Sequence, residues 1–187
     1  MELELSLSYI WLITGISVNP ADIKIIVGFI ILIALLLGSA LMSGSEVAYF
    51  SFRPEDIEKF RNHKNKKAQS ALKLYNDPEK LLSTILVANN TINIAIVFLA
   101  AYLSHSLFVY TSEVAGFIID AVVITFILLF FGEVMPKVYA AGNHVAVALF
   151  MAVPLTILKK IFKPVTSILI FSSSFAKKKS RYSPIEY

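Results

Sequence analysis

Long apolar stretches alternate with polar connections along this chain, and they predict three membrane-spanning helices. The stretches cover about residues 23–50, 79–103 and 114–141. Within the first, Ile25 to Met42 carries no charged side chain, and a charge-free run of 18 residues is long enough for a transmembrane helix. The pattern therefore predicts an all-α membrane protein with three transmembrane helices.

Two further regions predict amphipathic juxtamembrane helices. Over about residues 54–76, apolar side chains recur at helical spacing within a polar sequence. The stretch from His144 to Leu158 is apolar but only 15 residues long, and Pro154 interrupts it. Because that is short for an ordinary span, we expect interfacial or half-inserted helices over about residues 144–171. The tail, residues 172–187, is polar and basic and gives no sign of a folded domain.

The distribution of basic residues predicts the orientation in the membrane. Residues 53–80 carry eight Lys and Arg side chains, which marks the cytoplasmic side, whereas residues 104–113 carry none. The N-terminal arm, residues 1–21, is then external, with Tyr9 and Trp11 suited to the lipid headgroups, and the C-terminus is cytoplasmic. We therefore expect a multi-pass protein of the cell (plasma) membrane whose basic inner surface attracts membrane lipids that are anionic.

Composition supports this class and excludes several functions. The 187 residues are 57% hydrophobic and 16% charged, against about 25% charged residues in soluble domains. Cysteine is absent, which excludes disulfides and thiolate metal sites. The net charge of +4 comes from basic clusters beside apolar segments, so membrane topology explains it and no nucleic-acid partner is expected. The sequence contains no nucleophile–base pair, phosphate loop or HExxH spacing, and we expect no enzymatic activity.

The sequence FGEVMPK, residues 131–137, places a carboxylate inside an apolar helix. A charged side chain within a membrane costs a few kcal/mol at least, so Glu133 is a candidate functional residue. Pro136 has no N–H and its ring presses on the carbonyl four residues back, which belongs to Gly132. The motif thus combines a carboxylate with a carbonyl released at a kink, and two hard oxygens at one point indicate a cation site.

Two other polar breaks interrupt the apolar spans. Ser43-Gly44-Ser45 ends the first span, where Gly44 either kinks or unwinds the helix or allows close helix packing. Asn89 and Asn93 are four residues apart and share one face of the second span. Amides at this depth either bond to neighbouring helices or offer their oxygens to a cation. Hydroxyl, amide, carbonyl and carboxylate oxygens suit Mg²⁺, Ca²⁺ or Na⁺, so the residues alone indicate a membrane cation site without specifying the ion.

The remaining titratable residues of the apolar segments indicate no second site. Asp120 lies near the outer end of the third span, and we expect its carboxylate to reach the headgroup region or water. The three histidines lie in different segments, nothing pairs them into a metal site, and ordinary surface positions account for them: His63, His105 and His144.

The motifs MSGSEVAYFS, LLSTILVANNTINIAI and FGEVMPK together resemble the transmembrane domain of the CNNM/CorC family of magnesium transporters. The resemblance covers nearly all of a membrane domain that we place at residues 22–171. It implies three transmembrane helices with a juxtamembrane helical belt, a homodimer, and Mg²⁺ efflux coupled to Na⁺ entry. The implied Mg²⁺ ligands are Ser43, Asn89, Asn93, Gly132 and Glu133, with Ser45 as a further candidate and Glu46 as a Na⁺-side or structural group.

These implied ligands nearly complete the coordination of one Mg²⁺. We therefore expect the ion to be largely stripped of water and the site to be held by kinks at Gly44 and Pro136. Two other functions remain open: a Mg²⁺ sensor or regulator of another transporter without its own transport cycle, and a structural scaffold whose polar residues only join helices. Family members usually continue into a nucleotide-binding CBS module, which is expected in a full-length protein and is absent from these 187 residues.

Overall fold

The computed structural model describes residues 16–18, 22–62 and 65–180, which fold mainly into helices. The helices are α1 (Ile23–Phe50), α2 (Pro54–Asn62), α3 (Lys66–Tyr75), α4 (Pro78–Leu107), α5 (Glu113–Ile127), the π-helix Leu128–Val134, α6 (Met135–Gly142), α7 (His144–Ile161) and α8 (Lys163–Ser180). Two short strands accompany them, β1 (Ile16–Val18) and β2 (Phe108–Tyr110). The expectation of an all-α membrane protein is confirmed, and the two strands are an addition that the sequence did not predict.

Within the described residues, four helical segments could cross a membrane by length and composition: Ile23–Phe50, Pro78–Leu107, Glu113–Gly142 and His144–Ile161. The fourth, α7, is the region for which the sequence predicted interfacial or half-inserted helices. It reaches 18 residues because the helix continues through Pro154 and past Leu158. Length alone therefore does not separate three crossings from four, and three crossings stays a prediction.

The ends of the chain differ from the predicted boundaries where the structure describes them. Helix α8 continues to Ser180, so residues 172–180 of the predicted tail are helical. Residues 181–187 lie outside the described part. Of the predicted N-terminal arm, residues 16–18 form β1, whereas Tyr9 and Trp11 lie outside the described residues.

The chain divides into two compact units. The first comprises Met1–Ala40 and Ile92–Met135, and the second comprises Leu41–Thr91 and Pro136–Tyr187. The first unit therefore holds both strands, the N-terminal part of α1, the C-terminal part of α4, α5 and the π-helix. The second holds the other parts of α1 and α4 together with α2, α3, α7, α8 and most of α6.

In the first unit, Asp120 joins three elements. Its Oδ1 accepts hydrogen bonds from the hydroxyls of Ser104 on α4 (2.6 Å) and Tyr110 on β2 (2.7 Å). Strand β2 is itself paired with β1 in antiparallel register, with Ile16 opposite Tyr110. Asp120 thus binds protein hydroxyls, where the sequence predicted contact with headgroups or water. Burial raises the pKa of Tyr110 above its ordinary value, and the neighbouring Asp120 carboxylate raises it further.

In the second unit, helix α3 packs on α7, and aromatic residues join both to the end of α1. The Tyr49 hydroxyl donates to the backbone oxygen of Ala148 on α7 (3.1 Å). The ring of Phe52 lies 5.4 Å from that of Tyr49, 5.2 Å from that of Phe60 and 5.5 Å from that of Tyr75, measured between centroids. The packed helices bury mostly small and aliphatic side chains: Ala68, Ala71, Leu74, Ala148, Met151, Ala152 and Leu155.

Two carboxylates from residues 53–80, Asp56 and Asp77, bind the ends of α7. His144, its first residue, places Nε2 3.0 Å from Asp56 Oδ2, so this histidine is a paired residue rather than an ordinary surface one. Lys159, near the other end, donates to Asp77 Oδ2 at 2.9 Å. Burial raises the pKa of Asp77, but the hydrogen bonds and charges of Lys159 and Lys80 outweigh it and hold that pKa below its ordinary value.

Candidate cation site in the membrane helices

Glu133 lies on a π-helix inside the third apolar segment. The N–H of Met135 bonds to the carbonyl of Phe130, five residues back, as in a π-helix. Pro136 follows at once and supplies no N–H, so the helix loses one donor where the π-helix ends. Short π-helical segments occur often at functional sites. The sequence predicted an irregular helix here, and the role of the Gly132 carbonyl as a ligand stays a prediction.

Three side chains from three helices form one hydrogen-bonded chain in the first unit. Ser39 Oγ on α1 donates to Asn93 Oδ1 on α4 at 2.6 Å. Asn93 Nδ2 in turn donates to Glu133 Oε1 at 3.2 Å. We call this the Ser39–Asn93–Glu133 chain. It supplies the carboxylate with a partner in a region where an unpaired charge would be costly.

Gly132 brings the π-helix close to α1. A Cβ built at this buried position would lie 3.1 Å from Ser39 Oγ and 3.2 Å from Leu128 Cδ1. Only glycine fits there without displacing a neighbour. Ser39 was not among the predicted site residues, although it lies one helical turn before Ser43 and thus on the same face, which was the available signal.

Ser43 and Ser45, both buried in the second unit, differ in how their hydroxyls are satisfied. Ser45 Oγ donates to the carbonyl of Leu41 in its own helix at 2.6 Å, an ordinary arrangement for a helical serine. Within the described residues, the Ser43 hydroxyl is a buried side-chain group with no hydrogen-bond partner. Buried polar atoms almost always form hydrogen bonds, so the Ser43 hydroxyl is unusual in having no partner, and it lies at a predicted ligand position.

Helix α1 continues unbroken through Gly44. A Cβ at Gly44 would lie 3.4 Å from the carbonyl oxygen of Pro136 and 3.6 Å from Ala140 Cβ. These distances favour close helix packing, the alternative that the sequence left open, over an unwound helix. In the same unit Glu46 Oε2 lies 3.2 Å from Lys137 Nζ, which favours a structural role for Glu46 over a Na⁺-side one.

The predicted ligands are thus divided between the units. The first holds Asn93, Gly132 and Glu133, and it brings the first and third together through a hydrogen bond. The second holds Ser43, Ser45, Glu46 and Asn89. Among the described residues, no three His, Asp or Glu side chains group around a point that could hold a metal. Any cation held in the spans would therefore depend on amide, hydroxyl and carbonyl oxygens as well as on Glu133.

The apolar helices and the hydrogen-bonded Ser39–Asn93–Glu133 chain together define a multi-pass membrane protein with a candidate cation site in its spans. Residues 30–183 match the family model described as the cyclin M transmembrane N-terminal domain, CNNM. The chain therefore belongs to the CNNM family, a family of membrane transporter type linked to Mg²⁺ transport and not a family of enzymes.

Several bacterial proteins are similar to this chain. A UPF0053 protein of Haemophilus influenzae is 37% identical over 147 residues, which is 78% of this chain and 34% of the relative. The UPF0053 inner membrane protein YfjD of Escherichia coli is 34% identical over 123 residues, 64% of this chain and 28% of the relative. The Synechocystis UPF0053 protein sll1254 is 27% identical over 137 residues, 72% of this chain and 38% of the relative. The chain thus spans about a third of the length of these relatives.

Proposed function

We propose that this domain binds Mg²⁺ within its membrane helices and exports it in exchange for Na⁺. The observation that carries the proposal is the Glu133 carboxylate, held beside the Asn93 amide inside the spans of a CNNM-family domain. Carboxylate and amide oxygens are hard ligands that suit Mg²⁺, and the negative charge offsets part of the cost of bringing a dication into the membrane.

The donor set fits a largely dehydrated Mg²⁺. The ion takes six oxygens at about 2.1 Å. The proposed ligands are Ser43, Asn89, Asn93, Glu133 and the carbonyl of Gly132. The buried Ser43 hydroxyl has no hydrogen-bond partner, which supports this assignment, because a bound metal ion would give its oxygen a partner. Ser45 bonds within its own helix and Glu46 pairs with Lys137, so both contribute less to the proposed set.

The proposed setting is the cell membrane, with the N-terminus outside and the C-terminus in the cytoplasm. The resemblance to the family supports a homodimer, and the mass of the purified protein in mild detergent would test it. Lys and Arg side chains of residues 53–80 would lie at the inner surface, where anionic lipids attract them.

Flux through the purified protein in liposomes tests the function. A Mg²⁺-sensitive dye on the receiving side should report transport by the wild type that depends on an opposing Na⁺ gradient, and Glu133→Gln should abolish it. The matched control is Glu58→Gln, which removes an exposed carboxylate from α2 and should leave the flux unchanged. Binding of Mg²⁺ without any flux would instead favour a sensor or regulator, and the absence of both would favour a scaffold.

A further inference from the structure

Two adjoining cavities lie where α4, β2 and α5 meet, within the first unit. The first has a volume of about 220 Å³ and the second a volume of about 230 Å³. Three of the described lining residues are common to both cavities: His105, Phe117 and Asp120. The sequence indicated no second site in this region, whereas the structure places the Asp120 carboxylate where the two cavities adjoin.

The first cavity combines carboxylates with aromatic rings. Asp120 and Glu113 supply the carboxylates, and Phe108, Tyr110 and Phe117 supply the rings. The rings of Phe108 and Tyr110 lie 6.2 Å apart, measured between centroids. Because the faces of aromatic rings attract cations, and ammonium groups in particular, this lining is suited to an organic cation.

Asp120 and Tyr110 are held in place by their own neighbours. The Tyr110 hydroxyl donates to Asp120 Oδ1 at 2.7 Å, and Ser104 donates to the same oxygen at 2.6 Å. A Cβ at Gly116 would collide with the Tyr110 ring, so the ring lies directly against α5. An ionised carboxylate accepts about four hydrogen bonds across its two oxygens, so Asp120 retains acceptor capacity for a ligand N–H.

The charge of this region favours a cationic ligand. Residues 81–136 contain the carboxylates of Glu113, Asp120 and Glu133 but no Lys or Arg. Among the described residues, no salt bridge involves Glu113 or Asp120. The cavity thus has negative charge that a positively charged ligand would complement.

The second cavity continues from Asp120 between apolar side chains. Val97 and Ala101 of α4 line it together with Ala121 and Ile124 of α5. An apolar group that enters this cavity leaves water, which favours binding. The two cavities together therefore offer a charged, aromatic end and an apolar end to one molecule.

Two other kinds of cation fit this arrangement less well. Among the described residues, no three His, Asp or Glu side chains group around a point that could hold a metal ion. A phospholipid with an ammonium headgroup also carries a phosphate, which would face the same carboxylates. Residues 81–136 provide no Lys or Arg to pair with that phosphate.

We propose that these cavities bind a free organic ammonium ion with a short apolar tail. The ammonium group lies at Asp120 and Glu113, beside the aromatic rings, and the tail occupies the second cavity. The site is formed at the connection between α4 and α5, which is predicted to be external, so a water-soluble amine can reach it. The inference goes beyond the proposed function, because it requires no Mg²⁺ at Glu133.

Saturation-transfer NMR on the purified chain in detergent tests the proposal with phenethylamine as the probe. Phenethyl alcohol is the neutral probe of matched shape, and detergent without protein gives the signal from partitioning into micelles. We expect saturable binding of the amine and binding of the alcohol that is about tenfold weaker, because the alcohol has no charge for the carboxylates. This comparison needs no variant, so it decides the question even if a substitution prevents folding.

Asp120→Asn removes the charge but keeps an oxygen that can accept from Ser104 and Tyr110, so the fold should survive. The dissociation constant for phenethylamine should rise about tenfold. Glu133→Gln should leave it unchanged, which distinguishes these cavities from the candidate cation site in the membrane helices.

Filling the second cavity tests the position of the tail. Ala121→Leu adds bulk to its lining and should weaken phenethylamine binding. The matched control is Ala115→Leu, an exposed position on the same helix that is outside the described linings of both cavities.

Three outcomes would overturn the proposal while leaving the proposed function intact. Equal binding of amine and alcohol would show that the cavities recognise only apolar surface. Unchanged phenethylamine affinity in a folded Asp120→Asn protein would place the ammonium elsewhere. Displacement of phenethylamine by Mg²⁺ from Glu133→Gln, at constant ionic strength, would mean that Asp120 binds a metal ion instead.

Discussion

At the scale of single residues, Glu133 shows how a charge is accommodated inside an apolar segment. Its side chain is half-buried, and Asn93 gives Oε1 a donor at 3.2 Å. Replacing the charge without changing the shape therefore isolates what the charge does. The amide of a glutamine can still accept the hydrogen bond from Asn93, so the helix packing should survive the change.

We expect Glu133→Gln to weaken Mg²⁺ binding by more than about a hundredfold, because the buried dication loses its compensating charge. Titration calorimetry measures the affinity, and thermal unfolding should show a midpoint close to that of the wild type. Glu58→Gln, on an exposed face of α2, should change neither quantity. Unchanged Mg²⁺ affinity in Glu133→Gln would remove this residue from the site.

Asp56 is predicted to make stability depend on pH in the acid range. The backbone N–H of Arg53 donates to it at 3.0 Å and, with a smaller effect from His144, holds its pKa below the ordinary value of 3.8. A carboxylate with a lowered pKa stabilises the fold fully above pH 3.8, and this contribution is lost as the pH falls through the lower pKa of the folded state. At pH 5 we expect Asp56→Asn to lower the unfolding temperature by about 4 °C.

That difference between wild type and Asp56→Asn should shrink once the pH falls below 3.8, toward the lower pKa of folded Asp56, because protonation of Asp56 then favours the unfolded wild type. Circular dichroism of the protein in detergent, recorded on heating at each pH, measures it. The exposed neighbour Glu55 offers the control Glu55→Gln, for which no comparable difference is expected. A difference that stays constant as the pH falls below 3.8 would contradict the assignment.

At the scale of helices, the contact of the π-helix with α1 depends on the absence of a side chain at Gly132. Gly132→Ala introduces a methyl group 3.1 Å from Ser39 Oγ and 3.2 Å from Leu128 Cδ1, so one neighbour must shift. Such overpacking costs about 1–3 kcal/mol of unfolding free energy. We also expect weaker Mg²⁺ binding, because the shift of Ser39 disturbs the orientation of Asn93.

Gly142→Ala provides the matched control for this prediction, since nothing lies within 4 Å of a Cβ at that position. Thermal unfolding of both variants in the same detergent gives the comparison. Equal unfolding temperatures for Gly132→Ala and Gly142→Ala would show that the close approach of the two helices is not needed for stability.

The elements that the sequence predicted well are those with a long periodic signal. Long apolar runs marked the helices of the spans, and the i, i+4 spacing placed Asn89 and Asn93 on one face. Strands β1 and β2 were not predicted, because three residues are too few to show the alternation of apolar and polar side chains that indicates a strand. Helix α7 was judged too short because its apolar stretch ends at Leu158, whereas the backbone continues helically through Lys159 and Lys160.

Contacts between helices were the other part that sequence reasoning could not supply. The motif around Glu133 was visible in the sequence, but the hydrogen-bonded chain that reaches it was not. Ser39 lies 54 positions from Asn93 and looks like any small residue in an apolar span. Asp120 was predicted to face headgroups or water for the same reason, since nothing in the local pattern indicated the hydroxyls of Ser104 and Tyr110.

At the scale of the whole molecule, the path of α7 decides the number of membrane crossings. At 18 residues the helix is about 27 Å long, enough to cross by length. However, both ends of α7 bind side chains of the same segment, residues 53–80. His144 contacts Asp56 at 3.0 Å and Lys159 contacts Asp77 at 2.9 Å, while the body of α7 packs on α3. A crossing helix would carry its second end to the opposite membrane surface, so these contacts favour a helix lying along the same side of the membrane as residues 53–80.

We therefore expect Lys163, directly after α7, to be on the same side of the membrane as residues 53–80. The chain contains no cysteine, so a single introduced one reports its own accessibility without background. In intact cells, a membrane-impermeant maleimide should label Glu113→Cys, in the predicted external connection, and leave Lys163→Cys and Glu58→Cys unlabelled. After permeabilisation all three should react, which controls for reactivity and expression. Labelling of Lys163→Cys in intact cells, with Glu58→Cys still protected, would mean that α7 crosses the membrane and that the chain has four spans with an external C-terminal end.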